Sequence, residues 1–386
     1  MNVMDINRVP GSRIVEVARA AFATPDVDFL CFGESDRPSP EPARDAAIAA
    51  LYAGETRYTD VRGLPPLREA LATYLTALNA RPIGEDRIQV AASGMTAMSI
   101  ALAATVSAGQ RVVIHGPAWP NVGNAARLRG ADVVTLDLTA DADGRFGLDL
   151  DRLDHMLDGA RVFILNSPNN PTGWTATRTE LEAILAITRR RGVWLISDEV
   201  YKRLVYDGSD AAPSLLDIAA PDDRVIVCDS FSKTWIMTGW RLGWLVVPKG
   251  LRDAFTDLVE VTHSGVAAFV QRGGIAAIGN AGAVEQFRDY CAAGRAQVAA
   301  AMAGVNGVRY RSPDAAFYAF LGIDGLKDSL DLAMKLVTRH GVAVAPGVAF
   351  GEAGEGFLRV CFAQSPERMA RAMQRLRDGL RAEMGA

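Results

Sequence analysis

Between residues 88 and 247 seven short aliphatic runs recur, and they constrain the fold more than any other feature of the chain. They are IQVAA (88–92), RVVIHG (111–116), ADVVTL (131–136), RVFILN (161–166), VWLISD (193–198), RVIVCD (224–229) and GWLVV (243–247). They are rich in Val and Ile and apolar along their length, which is the pattern of strands buried on both faces. Helical periodicity separates most of them. Residues 179–190 set Leu181, Ile184, Leu185 and Thr188 on one stripe, and 95–107 and 119–129 read similarly. Strands alternating with helices predict an α/β fold whose large domain holds a mostly parallel seven-stranded sheet flanked by helices.

The flanks read differently. A Pro- and Ser-rich loop, GESDRPSPEP, lies in residues 1–47. After Gln271 a long helical stretch runs to about Met302, with Gly282 and Gly294 as weak points. Strand-like pieces follow (VRYRS, AFYAFLGI, VAVAPG, FLRVCFA), then a helix from Pro366. These predict a smaller α+β domain formed by both chain ends. The expected division is a large cofactor-binding domain over 48–282 and a small domain made of 1–47 and 283–386.

Composition narrows the function classes. The 386 residues exceed what one small core organises. A net charge of −4 gives no electrostatic reason to expect nucleic acid or an anionic membrane as partner. The apolar runs fall short of a membrane span, and MNVMDINRVPGSR lacks the apolar core of a signal peptide. Cys31, Cys228, Cys291 and Cys361 form no CxxC pair, and the four histidines show no metal-ligand spacing, so no metal is expected. A reduced, cytoplasmic setting is the expectation. Only five of the 41 basic residues are lysines (Lys202, Lys233, Lys249, Lys327, Lys335), so each invites the question of why it is not arginine.

Ligands of open α/β sheets sit beyond the carboxyl ends of the strands. After the first run, Ser93-Gly94-Met95-Thr96 opens a helix; such a turn suits a phosphate, and equally serves as an ordinary cap. After the fourth, Ser167-Pro168-Asn169-Asn170-Pro171-Thr172-Gly173 makes a rigid turn that fixes the Asn170 amide, or is a turn and no more. Asp198 ends the fifth, where a carboxylate needs a partner or a capping role, with Tyr201 just beyond. The sixth leads into Ser230-Phe231-Ser232-Lys233 and then Gly239-Trp240-Arg241-Leu242-Gly243. A desolvated lysine there has an amine able to form a Schiff base, which arginine could not replace; a solvated surface lysine is the competing reading. An anion site, an acid, hydrogen-bond donors and an imine-forming lysine on one sheet are the set that pyridoxal phosphate requires.

SFSK followed by GWRLG, with NSPNNPTG and SDEVY upstream in that order, resembles the class I/II aminotransferases of pyridoxal-phosphate fold type I, in the aspartate-aminotransferase-like branch. The matching motifs run from Gly33-Glu34 to Phe362. The resemblance implies transfer of an amino group between an L-amino acid and a 2-oxo acid by a ping-pong route. It implies that Lys233 is the Schiff-base lysine and proton shuttle, and that Asp198 pairs with the pyridinium nitrogen. Tyr201 and Asn170 would bond the ring oxygen, and Trp119 would stack on the ring. Ser93, Gly94, Met95, Ser230 and Arg241 would hold the phosphate, joined by Tyr58 from the neighbouring subunit of a homodimer. Gly33, Asn170 and Arg359 would meet the substrate, with Arg359 clamping its α-carboxylate.

Two segments depart from the family pattern. Arg37 stands where an apolar side chain is frequent; it would face the substrate entrance and favour acidic substrates, or be a solvated loop residue. His263-Ser264-Gly265-Val266-Ala267 departs from the usual partner-facing loop. A carbon–sulfur β-lyase would use the same cofactor residues, so the motifs do not separate it from a transaminase. A regulator with an aminotransferase-like domain would need a DNA-binding module, and the first core motif already begins by residue 33.

Overall fold

The computed structural model describes residues 11–384, so most of the segment read above for a signal peptide lies outside the described residues. Its helices are α1 (Arg13–Ala23), α2 (Glu41–Tyr52), α3 (Pro65–Asn79), α4 (Gly94–Thr105), α5 (Pro120–Leu128), α6 (Leu150–Met156), α7 (Arg178–Arg191), α8 (Arg252–His263), α9 (Ala268–Ile278), α10 (Ala281–Met302), α11 (Ser329–His340) and α12 (Pro366–Met384). After the short strand β1 (Asp28–Phe29), the main sheet is built from β2 (Ile88–Ala91), β3 (Arg111–Gly116) and β4 (Asp132–Asp137), then, past the small hairpin of β5 (Thr139–Ala140) and β6 (Phe146–Gly147), β7 (Val162–Asn166), β8 (Trp194–Asp198), β9 (Val225–Ser230) and β10 (Gly243–Val246).

The seven strands lie in the order β2-β10-β9-β8-β7-β3-β4, parallel except for β10, which is antiparallel to both neighbours. The two-residue period of a strand sorts their side chains between two cores. Val113, Phe163, Leu195 and Val227 face α3 and α7. Val112, Val162, Ile196 and Ile226 face α4, α5 and α8. The expectation of two-sided burial fails at β4. It is one of two edge strands, and only Leu136 in it is buried, whereas β2 at the other edge is buried throughout. Local signals place α7: a Thr177/Glu180 capping box opens it, and Gly192 in the left-handed region closes it.

The second sheet pairs β11 (Val308–Arg309), β12 (Tyr318–Ile323), β14 (Ala345–Pro346) and β15 (Phe357–Cys361) in the order β11-β12-β15-β14, antiparallel throughout. Between them in the chain, β13 (Val342–Ala343) runs parallel to β1. Both chain ends share this core: Val17, Ala18 and Ala21 of α1 join Met369, Leu376 and Leu380 of α12. Asp28, fully buried, accepts from Arg371 Nε at 2.9 Å and from Arg375 Nη1 at 3.0 Å, tying the N-terminal segment to α12.

The helical stretch after Gln271 breaks at Gly279-Asn280, where Asn280 caps α10 by accepting from Ala283 N–H. Gly282 and Gly294 lie inside α10 instead. A Cβ on Gly294 would stand 2.1 Å from the Phe362 carbonyl oxygen, so this glycine permits a close approach and does not mark a break. The expected domain boundaries, 47/48 and 282/283, fall within α2 and α10.

Candidate active site

At the carboxyl ends of β7, β8 and β9 the two sheets enclose a cavity of about 400 Å³. Lys233, Asp198, Tyr201, Asn170, Trp119 and Arg359 line it, and so do Gly33, Gly94, Met95, Ser230 and Arg241. Ser93 stands just behind the wall as the α4 cap, its Oγ accepting from Thr96 N–H at 3.0 Å. Tyr58 is elsewhere. Its side chain is 93% exposed and reaches no part of this cavity, so any role in it needs another chain.

The cavity floor carries two groups whose ionisation burial has shifted. Lys233 Nζ donates to Gly33 O at 2.6 Å. Burial lowers its pKa to about 8; Cys361 opposes the shift and the Arg359 charge adds to it. Roughly a tenth of such lysines are free amine at pH 7, against a few in ten thousand for an ordinary one. The turn holding Lys233 is strained, for Ile236 takes φ +55°, which a β-branched residue rarely adopts. Lys202 makes the contrast. It is equally enclosed, but Asp229 (3.3 Å) and Glu199 (3.6 Å) outweigh its burial and raise its pKa. That lysine is a fixed cation facing away from the cavity.

Burial raises Asp198 to about 7, with Asp229 adding to the shift and Val200 N–H and Lys233 opposing it. Unfolded aspartate titrates near about 3.9. The folded protein therefore binds this proton more tightly, and Asp198 costs stability increasingly as pH rises through that window. In the cofactor-free protein, the stability of wild type relative to Asp198→Asn is expected to fall between pH 4 and pH 7, as read by urea unfolding at several pH values. A difference that stays flat or rises contradicts the assignment.

An amide network fixes the wall opposite. Asn166 Oδ1 accepts from Asn170 N at 2.9 Å, and Asn170 Oδ1 accepts from Arg359 Nη1 at 3.0 Å. Arg359 is 2% exposed; its Nη2 donates to Cys31 O at 2.5 Å, and its guanidinium lies over Tyr318 at 4.4 Å and Phe350 at 4.9 Å. Two of five N–H groups are thereby used, and Nε has no partner among the described residues. Tyr201 and Tyr318 share a hydroxyl–hydroxyl bond of 2.8 Å.

Sequence reasoning missed Tyr318, whose hydroxyl would lie 2.1 Å from a Cβ on Gly33. It sits in an apolar strand with no motif around it. Asn166, one residue before the singled-out turn, was also missed, as was the Lys202–Glu199–Asp229 cluster; the scarcity of lysine was the available signal for the last. Arg37 is exposed, stacks on Tyr290 at 5.1 Å and does not line the cavity. In the departing segment, Val266 O accepts from Thr59 Oγ1 (3.1 Å) and Gln271 Nε2 (2.6 Å), bracing the loop that bears Tyr58.

These residues fit pyridoxal phosphate. An amine with a lowered pKa suits an aldehyde, and an enclosed carboxylate suits a ring cation. The N-terminus of α4 offers an anion cradle kept open by glycine: a Cβ on Gly243 would stand 2.7 Å from Gly94 N, and one on Gly94 would stand 3.2 Å from Ser230 Cβ. Fold and site together are those of an enzyme able to hold this cofactor.

The family model described as Aminotransferase class I and II matches residues 27–376, and the chain belongs to that family. It is 31% identical to an aspartate aminotransferase of Thermotoga maritima over 97% of this chain and 98% of the relative, and 32% identical to one of Pyrococcus horikoshii over 96% and 95%. The crystal structure of the Thermotoga enzyme superposes with a TM-score of 0.88 at 30% identity, covering 97% of this chain and 99% of that one. An aromatic aminotransferase of P. horikoshii gives 0.87 at 30%, covering 96% and 100%. The chain is a pyridoxal-phosphate-dependent aminotransferase acting on amino acids and 2-oxo acids. The relatives favour neither the lyase nor the regulator alternative. No helix among the described residues is long and apolar enough to cross a membrane.

Proposed function

We propose that this aminotransferase takes aspartate as its preferred amino donor, with Lys233 moving the proton and Arg359 holding the α-carboxylate. The relatives named aspartate aminotransferase support the donor. One observation carries the roles: Lys233, Asp198 and Arg359, from three distant stretches, line one cavity. Bound pyridoxal phosphate supplies an electron sink for the bonds at the substrate α-carbon. Lys233 Nζ, an amine at useful concentration, would hold the cofactor aldehyde and would take and return the α-proton. Asp198 would stand as the acidic partner of the ring nitrogen. Asn170 already spends its Oδ1 on Arg359, so its Nδ2 is the donor left for the ring oxygen. Either hydroxyl of the Tyr201–Tyr318 pair can donate; when Tyr318 does, the Tyr201 proton would be free for the same oxygen. Trp119 would cover the ring. Ser93, Gly94, Met95, Ser230 and Arg241 would hold the phosphate. Arg359 has three N–H groups beyond its present bonds for a substrate carboxylate, and Gly33 brings backbone beside it.

The active unit we propose is a cytoplasmic homodimer in which Tyr58 of the partner subunit reaches the phosphate. The 93% exposure of Tyr58 and the exposed Ile48, Leu51 and Tyr52 on α2 support the pairing, and the four buried free thiols suit a reducing setting. We place the domain divide at the Gly279-Asn280 break and ahead of α2. Tyr58→Phe is expected to weaken cofactor retention about tenfold in a protein of unchanged native mass; retention equal to wild type removes Tyr58 from the site. Single-turnover conversion of bound cofactor with aspartate, alanine and an aromatic amino acid is expected to run fastest with aspartate. A faster reaction with either other donor overturns that assignment.

A further inference from the structure

His115 lies at the end of β3 and belongs to no step above. It is 1% exposed. β3 and β7 pair from Val112↔Val162 to Ile114↔Ile164 and then separate, so Asn166 N–H at the end of β7 finds no backbone acceptor on β3. The imidazole fills that gap: His115 Nε2 accepts from Asn166 N at 2.9 Å. A nitrogen that accepts carries no proton, so the neutral ring is the Nδ1–H tautomer. Nδ1 has no partner among the described residues. The ring also packs edge-on against Trp174, with centroids 5.5 Å apart. His115 thus touches both ends of the 166–174 turn that carries Asn170.

The contacts continue in one direction. Asn166 Oδ1 takes Asn170 N, Asn170 Oδ1 takes Arg359 Nη1, and Asn166 Nδ2 donates to Asp198 O at 3.2 Å. The backbone of Asn166 is the point from which the amide network is hung. We infer that His115 is a positioning residue of the transamination site, its neutral imidazole standing in for a missing strand acceptor and setting the Asn166–Asn170 pair against Arg359. The inference rests on the reading of Arg359 as the residue that holds the substrate carboxylate. Burial, which lowers the His115 pKa to about 4, keeps the acceptor available at neutral pH.

The test compares holoenzyme of wild type, His115→Phe, His115→Gln and Arg359→Lys. Phenylalanine keeps the packing on Trp174 but has no acceptor, whereas a glutamine oxygen reaches about as far as Nε2. His115→Phe is expected to raise the amino-acid KM about tenfold while kcat changes less than about threefold, and His115→Gln to recover most of the loss. If Arg359→Lys raises KM and His115→Phe does not, the His115 inference fails alone. If Arg359→Lys leaves KM unchanged, the carboxylate reading has failed first. A loss confined to stability, with equal kinetics in the folded variants, reduces His115 to a packing residue. Should His115→Phe not fold, nitrogen-15 NMR of histidine-labelled wild type decides. An Nδ1–H tautomer that does not titrate between pH 5 and pH 8 supports the role, and an Nε2–H tautomer or ordinary titration near pH 6.5 overturns it.

Discussion

Lys233→Ala is expected to lower kcat by at least about a thousandfold while the protein stays folded and still binds pyridoxal phosphate. Two functions leave with one side chain. The imine anchor goes, and with it the base that moves the α-proton, and general acid–base catalysis alone contributes about 10²–10⁴ in rate. No neighbour replaces it. Lys202 is the other enclosed lysine, but it is locked between Asp229 and Glu199 and kept protonated. Tyr201 hydroxyl is pushed to higher pKa by burial and is a poor base. The anion cradle and Asp198 are untouched, so cofactor affinity drops far less than turnover. Steady-state and single-turnover rates check this, and a variant retaining a tenth of wild-type turnover contradicts it.

Arg359→Ala is expected to cut kcat/KM for amino acids about a hundredfold or more, chiefly through KM. A charge-assisted arginine–carboxylate pair in an enclosed site is worth about 2–5 kcal/mol when one partner is removed. Part of the loss has a second origin. Asn170 Oδ1 and Cys31 O lose the donors they now have, and the stacked positions over Tyr318 and Phe350 empty. Arg359→Lys restores charge without the planar fork and is expected to fall between the two. An amine lacking a carboxylate should react equally with wild type and variant. Equal loss for that amine would show that Arg359 acts through the fold.

The seven main strands stood in the sequence to within about one residue, because strands buried on both faces must be apolar throughout. The same rule misread β4, which is more exposed than its composition suggests, although it held for β2 at the other edge. Helix α1 and the β5–β6 hairpin escaped notice, since their packing partners lie far along the chain. Gly282 and Gly294 read as weak points of the long helical stretch, yet Gly294 answers to a close approach from Phe362 that only the folded chain reveals. Within the cavity, Lys233, Asp198, Asn170 and Arg359 were legible through motifs with distinctive chemistry. Tyr318 and His115 were not, because a hydroxyl or imidazole inside an apolar strand declares nothing until its partner is known. Lys202 shows a signal half used: rarity of lysine marked it and Glu199 lies three residues away, but its nearer carboxylate partner, Asp229, comes from β9.

The central claim is that one particular lysine carries the cofactor. Borohydride reduction of the holoenzyme, followed by proteolysis and mass mapping, tests it most directly. The expected result is one modified lysine per chain, Lys233, with the label abolished in Lys233→Ala. Label on Lys202, Lys249, Lys327 or Lys335, or none at all in an active enzyme, would contradict the account.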